Sequence, residues 1–222
     1  MRNKGKITKK LAATVIASVM VGTMLVGGTL AYLTDNERLT NKFTIGKVDV
    51  ELTEPNWHEE ENQKLEAGQT VKKDPTITNV GINDAYVYLE VQVPMIDVIT
   101  AAADGTRENG GKAAHQQLAK FQANSGWSLI SSREINKNMI YTYSYDKILK
   151  PKEKTNALFD SVTFANVVEG QIDTNSYNIP AAAYAIQTAN TGDGSGNVKQ
   201  EAKNAYNKYM LQNEGQPGAV VK

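Results

Sequence analysis

The chain has no cysteine. Disulfides and cysteine-based metal sites are therefore excluded, and the absence agrees with export from a bacterium that lacks an outer membrane. Histidine is nearly as scarce: His58 and His115 are the only two in 222 residues. Neither begins an H-E-x-x-H motif, no G-x-S-x-G elbow occurs, and a nucleophilic triad has almost no candidates. Net charge is also missing, with 24 bases against 24 acids. The glycine-rich stretch Gly192-Asp193-Gly194-Ser195-Gly196 has no P-loop lysine behind it and reads as a flexible linker.

The charges that are present are unevenly placed. Arg2, Lys4, Lys6, Lys9 and Lys10 precede the first acid, Asp35. Behind them an apolar run extends from about Leu11 to Val26, and Gly27-Gly28-Thr29-Leu30-Ala31 supplies small side chains for a peptidase. Basic head, apolar stretch and small-residue exit are the anatomy of a secretory signal peptide over residues 1–31, cut between Ala31 and Tyr32. An uncleaved anchor is the alternative, but the run is short for a span of about 20 residues. Without its first 31 residues the chain keeps 19 bases against 24 acids, a net charge of −5. That balance gives no electrostatic footprint for nucleic acid.

The remainder reads as many short strands separated by turns, the pattern of an all-β antiparallel sandwich of jelly-roll type. Residues 43–52 alternate in two phases around Gly46, as one strand with a β-bulge or as two strands with a turn. Val71 to Val80 is interrupted by Pro75 and suits an edge strand. The clearest alternation is Ala85-Val87-Leu89-Val91-Val93 against Tyr86-Tyr88-Glu90-Gln92, a half-buried strand ended by Pro94. Residues 95–126 form an insertion with a predicted helix over about 112–123, whose Leu118, Phe121 and Ala114 would face the sandwich. Strands resume near Trp127–Ile130 and Met139–Tyr145. In the second, Tyr141, Tyr143 and Tyr145 share a face, for cross-strand packing or as a carbohydrate-binding strip. Phe159–Val168 and Asn178–Gln187 complete the strands. Val198, Ala202, Ala205, Tyr206, Tyr209 and Met210 recur at helical spacing near the C-terminus. The organisation is a signal peptide (1–31), a sandwich (32–190), and a linker, helix and tail (191–222).

Three segments resemble the TasA/camelysin family of Gram-positive bacteria, nearest its clostridial branch. They are Gly27-Gly28-Thr29-Leu30-Ala31-Tyr32-Leu33-Thr34-Asp35 at the signal junction, Asn79 to Val93, and Ile179-Pro180-Ala181-Ala182-Ala183-Tyr184-Ala185-Ile186-Gln187. The resemblance implies export through a SipW-like signal peptidase. It further implies a jelly-roll sandwich built into extracellular biofilm matrix fibres, in which the mature N-terminal segment of one subunit completes the sheet of the next. Carried onto this chain, the donor begins at Tyr32 and runs to about Asn41, with Tyr32, Leu33, Leu39 and Phe43 docking. The polar stretch Asp35-Asn36-Glu37-Arg38 between them would face solvent or sit in a bulge.

Camelysin-type relatives of the same resemblance are described as metalloproteases. A zinc hydrolase needs two or three histidine or carboxylate ligands and a base, which two histidines poorly supply. His58-Glu59-Glu60-Glu61 reads as a solvated acidic loop and lacks the ligand spacing of a dedicated calcium loop. The expectation is a non-enzymatic matrix or fibre subunit with no cofactor. Its partners would be the signal peptidase, further copies of itself and other matrix or cell-surface components. A monomeric adhesive or glycan-binding or host-protein-binding module using the tyrosine face is the competing reading.

Overall fold

The structure is a computed structural model that describes residues 34–38, 41–44, 48–57, 66–172, 177–189, 191 and 193–212. The signal segment, the cut at Ala31–Tyr32, and residues Leu33, Leu39 and His58 lie outside the described residues.

Among the described residues the strands are β1 (Thr34–Arg38), β2 (Asn41–Thr44), β3 (Val50–Thr53), β4 (Thr70–Lys72), β5 (Thr76–Asn79), β6 (Ala85–Val98), β7 (Ala114–Gln117), β8 (Ala119–Phe121), β9 (Trp127–Ile135), β10 (Asn138–Tyr145), β11 (Ser161–Phe164) and β12 (Ala181–Gln187). One α-helix, α1 (Val198–Gln212), follows. The large sheet runs β2-β1-β12-β6-β10-β9, with β7 also on β6; β4-β11-β8 and β3-β5 form two smaller sheets. Every pairing is antiparallel. The expected all-β sandwich is what the chain forms, with its one described α-helix near the C-terminus.

The core lies between the large sheet and the smaller ones. Val87, Leu89, Val91 and Val93 of β6 meet Val50, Val71, Ile77, Leu158, Phe159 and Val162. Pro75 divides β4 from β5, and each takes a sheet edge, where a residue lacking N–H costs no ladder bond. Residues 43–52 do not form one bulged strand. β2 belongs to the large sheet and β3 pairs β5, so the two alternating phases serve two sheets.

β6 departs from its sequence reading in two ways. Its second face is buried as well, because Tyr86 and Tyr88 pack beneath Ala202, Ala205 and Tyr206 of α1. Pro94 also fails to end it. In the Pro94–Leu118 pair the Leu118 N–H donates to Pro94 O at 2.8 Å. The bond that proline cannot return is replaced by Ala165 N–H, which donates to Leu118 O at 2.8 Å.

The helix expected over 112–123 is not formed. Residues 114–121 are β7 and β8, preceded by a single 3₁₀ turn at Asn109–Gly111. Leu118 sits where the chain passes from the large sheet to the three-stranded one. Ala114, Leu118 and Phe121 are therefore spaced by a change of sheet and not by a helical turn.

Candidate functional site

The site to build is the edge of the large sheet at β12. Ala181, Ala183 and Ala185 point into the core, while Ala182, Tyr184 and Ile186 lie on the outer face with α1. Alanine is a weak strand former, so packing decides here. The missing side-chain volume lets β3 lie across β12 and β1, with Val50 fully buried. On one side β12 pairs β6 from Ala181↔Val91 to Gln187↔Ala85.

On its other side β12 pairs β1, with Thr34↔Ile186, Asp35↔Ala185, Asn36↔Tyr184 and Glu37↔Ala183. β2 then folds back on β1, Asn36 opposite Phe43. The segment expected to donate a strand to another subunit is thus paired within its own chain. The stretch Asp35-Asn36-Glu37-Arg38, expected to face solvent or bulge, lies in a strand, and its β12 register is unbroken from Thr34 to Glu37. Without β1, β12 would expose a row of backbone N–H and C=O groups, a template for any extended chain. Of the four expected docking residues only Phe43 lies in a described element, β2.

The tyrosine face of β10 turns inward. Tyr141 meets Phe121 edge-on with ring centroids 5.7 Å apart, and its hydroxyl accepts from Gln117 Nε2 at 2.7 Å. Tyr145 packs on Trp127 at 5.1 Å. Tyr145 and Trp127 are a cross-strand pair, whereas Tyr141 packs between sheets and, like Tyr143, is half-buried against the core.

His115 lies on β7, where its ring bridges two carboxylates. Nδ1 is 2.8 Å from Asp97 Oδ1 on β6, and Nε2 is 2.9 Å from Glu134 Oε1 on β9. Hydrogen bonding to Glu134, then to Asp97, raises the ring's pKa above its ordinary value. Sequence reasoning missed this trio because its members stand on three strands far apart in the chain.

A family model, that of the camelysin metallo-endopeptidases, matches residues 6–172. The match runs through residues 95–126 and stops short of β12. No curated protein and no solved structure matches the chain. The family's name implies a metal, and the described residues do not fit one. With its proton on, His115 donates from both ring nitrogens to carboxylates and has no lone pair for a cation. Among the described residues no three histidine or acidic side chains are grouped to hold an ion. Nor, among them, is any helix long and apolar enough to cross a membrane. The matched residues span well over half of the sequence, from residue 6 through β11, and the chain belongs to the camelysin/TasA family, which is associated with secreted or cell-surface proteins of Gram-positive bacteria.

Proposed function

We propose that this protein is an exported, non-enzymatic subunit of an extracellular matrix fibre that assembles by exchanging its N-terminal strand between copies. The observation that carries the reading is the β1–β12 ladder. An acceptor edge exists, and the segment that fills it is the first stretch behind the expected cut at Ala31–Tyr32. A strand that pairs in cis can make the same backbone bonds in trans, so exchange costs little beyond the entropy of association. Donor and acceptor lie on different parts of the subunit, which makes the contact head-to-tail and the product an open filament. While the signal segment holds the N-terminus at the membrane, β1 is tethered and exchange is restrained; cleavage by a SipW-like peptidase releases it.

The adhesive reading is weakened, because the tyrosine face packs against the core, with Tyr145 buried and Tyr141 and Tyr143 half-buried. The test compares mature protein with a version lacking residues 32–41, by electron microscopy, size exclusion and circular dichroism. The proposal expects filaments from the first and folded, filament-free protein from the second. Filaments from the truncated protein would rule out exchange of this strand, and no filaments from the mature chain at any concentration would favour a monomeric adhesive.

A further inference from the structure

The trio around His115 has a geometry that the fibre reading does not use. β7 is short, four residues against a fourteen-residue partner, and pairs only the distal end of β6, Met95↔Gln117 to Val98↔Ala114. Immediately after it the chain crosses to the three-stranded sheet, where β8 pairs β11. The apolar packing at this corner is a small cluster of its own, Val98, Leu118 and Val167 with partly buried residues such as Ile96 and Phe164 against them. The His115 ring adds two polar ties, one to β6 through Asp97 and one to β9 through Glu134, beside the turn at Asn136–Lys137.

We propose that Asp97, His115 and Glu134 form a proton-operated clasp that fastens β7, and with it the crossing between the two sheets, to the end of the β9–β10 hairpin. Only the protonated ring has an N–H on both nitrogens, so only imidazolium can donate to both carboxylates at once. A neutral ring keeps one donor and turns a lone pair toward the other carboxylate, which repels it.

The surroundings leave the two carboxylates in control of the ring. On β7 the other residues, Ala114, Gln116 and Gln117, are uncharged, and β10 carries no charged residue. On β6 the second acid, Glu90, takes the opposite face and receives Arg133 of β9 at 3.4 Å. Lys112 and Lys137 stand in the flanking loops, and the charged groups that hydrogen-bond the ring are Glu134 and Asp97. The folded ring binds its proton more tightly than the unfolded one. The clasp's stabilisation is therefore fully present below the ordinary histidine value of 6.5 and is lost as pH rises through the raised folded value.

This inference does not rest on the assembly reading. It is tested on the full chain by proton NMR titration of the ring and by hydrogen exchange at residues 114–117, expressed as protection relative to the intrinsic rate at each pH. A His58→Gln background leaves one histidine resonance. His115 should titrate above 6.5, Glu134→Gln should lower its pKa most, and Asp97→Asn should lower it less. Protection of β7 should fall across that same titration while the β6–β12 ladder keeps its own. Titration at the ordinary value would overturn the clasp. So would β7 protection that stays constant through the titration, or a Glu134→Gln variant that loses protection equally at every pH, since either makes the contact merely structural.

Discussion

A single asparagine shows how a turn residue becomes a core residue. Asn79 ends β5 and is wholly buried. Its Nδ2 donates to Asn83 O and Leu149 O, both at 2.9 Å, and its Oδ1 accepts Gly81 N–H at 3.0 Å. One side chain thus closes the 79–84 turn and ties it to the segment that follows β10. Asn79→Ala removes these three bonds and leaves an apolar side chain in a buried polar niche, so the expected loss is about 2 kcal/mol, even though Gly81 N–H keeps Asp49 O and Leu149 O keeps Ala85 N–H. A urea titration should show a lower midpoint with unchanged slope. An unchanged midpoint would mean that water replaces the amide at no cost. The Asn, Gly and Asp content of the sequence at 79–84 is that of a turn. It could not show that Leu149, seventy residues away, lies within reach.

At the scale of the element, legibility followed the length of the repeat. β6 and β10 carry enough alternation to be read directly, and their pairing puts the alternating residues where the period requires; of β9 only Trp127–Ile130 is legible, and β12 rests on packing. The β9–β10 turn is the two-residue kind, with Asn136 and Lys137 both at positive φ. β7 and β8, at four and three residues, are too short to display a period of two, and a change of sheet between them mimics helical spacing. The burial of β6 on both faces was hidden because its cover comes from α1, over a hundred residues later. α1 itself was legible as an amphipathic stretch. Its start carries a cap, Asn197 Oδ1 accepting Gln200 N–H at 3.3 Å. Glu201 then accepts Gly196 N–H at 2.9 Å and the Tyr86 hydroxyl at 2.7 Å. Burial, with the hydrogen bond and charge of Glu201, raises the Tyr86 hydroxyl far above its usual range. Tyr206 is the apolar anchor of this layer, its ring 5.4 Å from that of Tyr88. Tyr206→Ala should cost roughly 3 kcal/mol where the helix docks. The expected signs are lost amide protection in α1 and new binding of a hydrophobic dye, with the β6–β10 ladder still protected. Unaltered protection in α1 would show that the helix is held by something else.

For the whole molecule, family membership and residue chemistry pull apart. The family is named for a metallo-endopeptidase, and the described residues supply no ligand set that suits a catalytic zinc. The account expects the melting temperature to be unchanged by a chelator and rigorously purified protein to leave casein intact. A melting temperature several degrees lower with chelator, or chelator-sensitive cleavage of casein, would place a metal in residues such as 58–65 that lie outside the described ones. The candidate site was legible only in outline. The alanine-rich late strand and the expected cut ahead of the N-terminal segment could both be read in the sequence. Their pairing was not, because a polar segment carries no hydrophobic period and its place is set by backbone hydrogen bonds.

The central claim is that β1 can leave its own β12 and take the same place on another copy. Because the chain has no cysteine, one engineered thiol pair reports on that ladder without interference. Asp35 and Ala185 are register partners on β1 and β12, and directly opposed residues of an antiparallel pair lie about 4.5–5.5 Å apart, within reach of a disulfide. Mature Asp35→Cys protein and mature Ala185→Cys protein are mixed, assembled and oxidised. If the strand is exchanged, covalent dimers joining one variant to the other form in the filament and are absent from monomer kept below the assembly concentration. If filaments form with no such cross-link, while a chain carrying both substitutions closes its disulfide internally and still assembles, β1 stays at home and strand exchange is not how this protein polymerises.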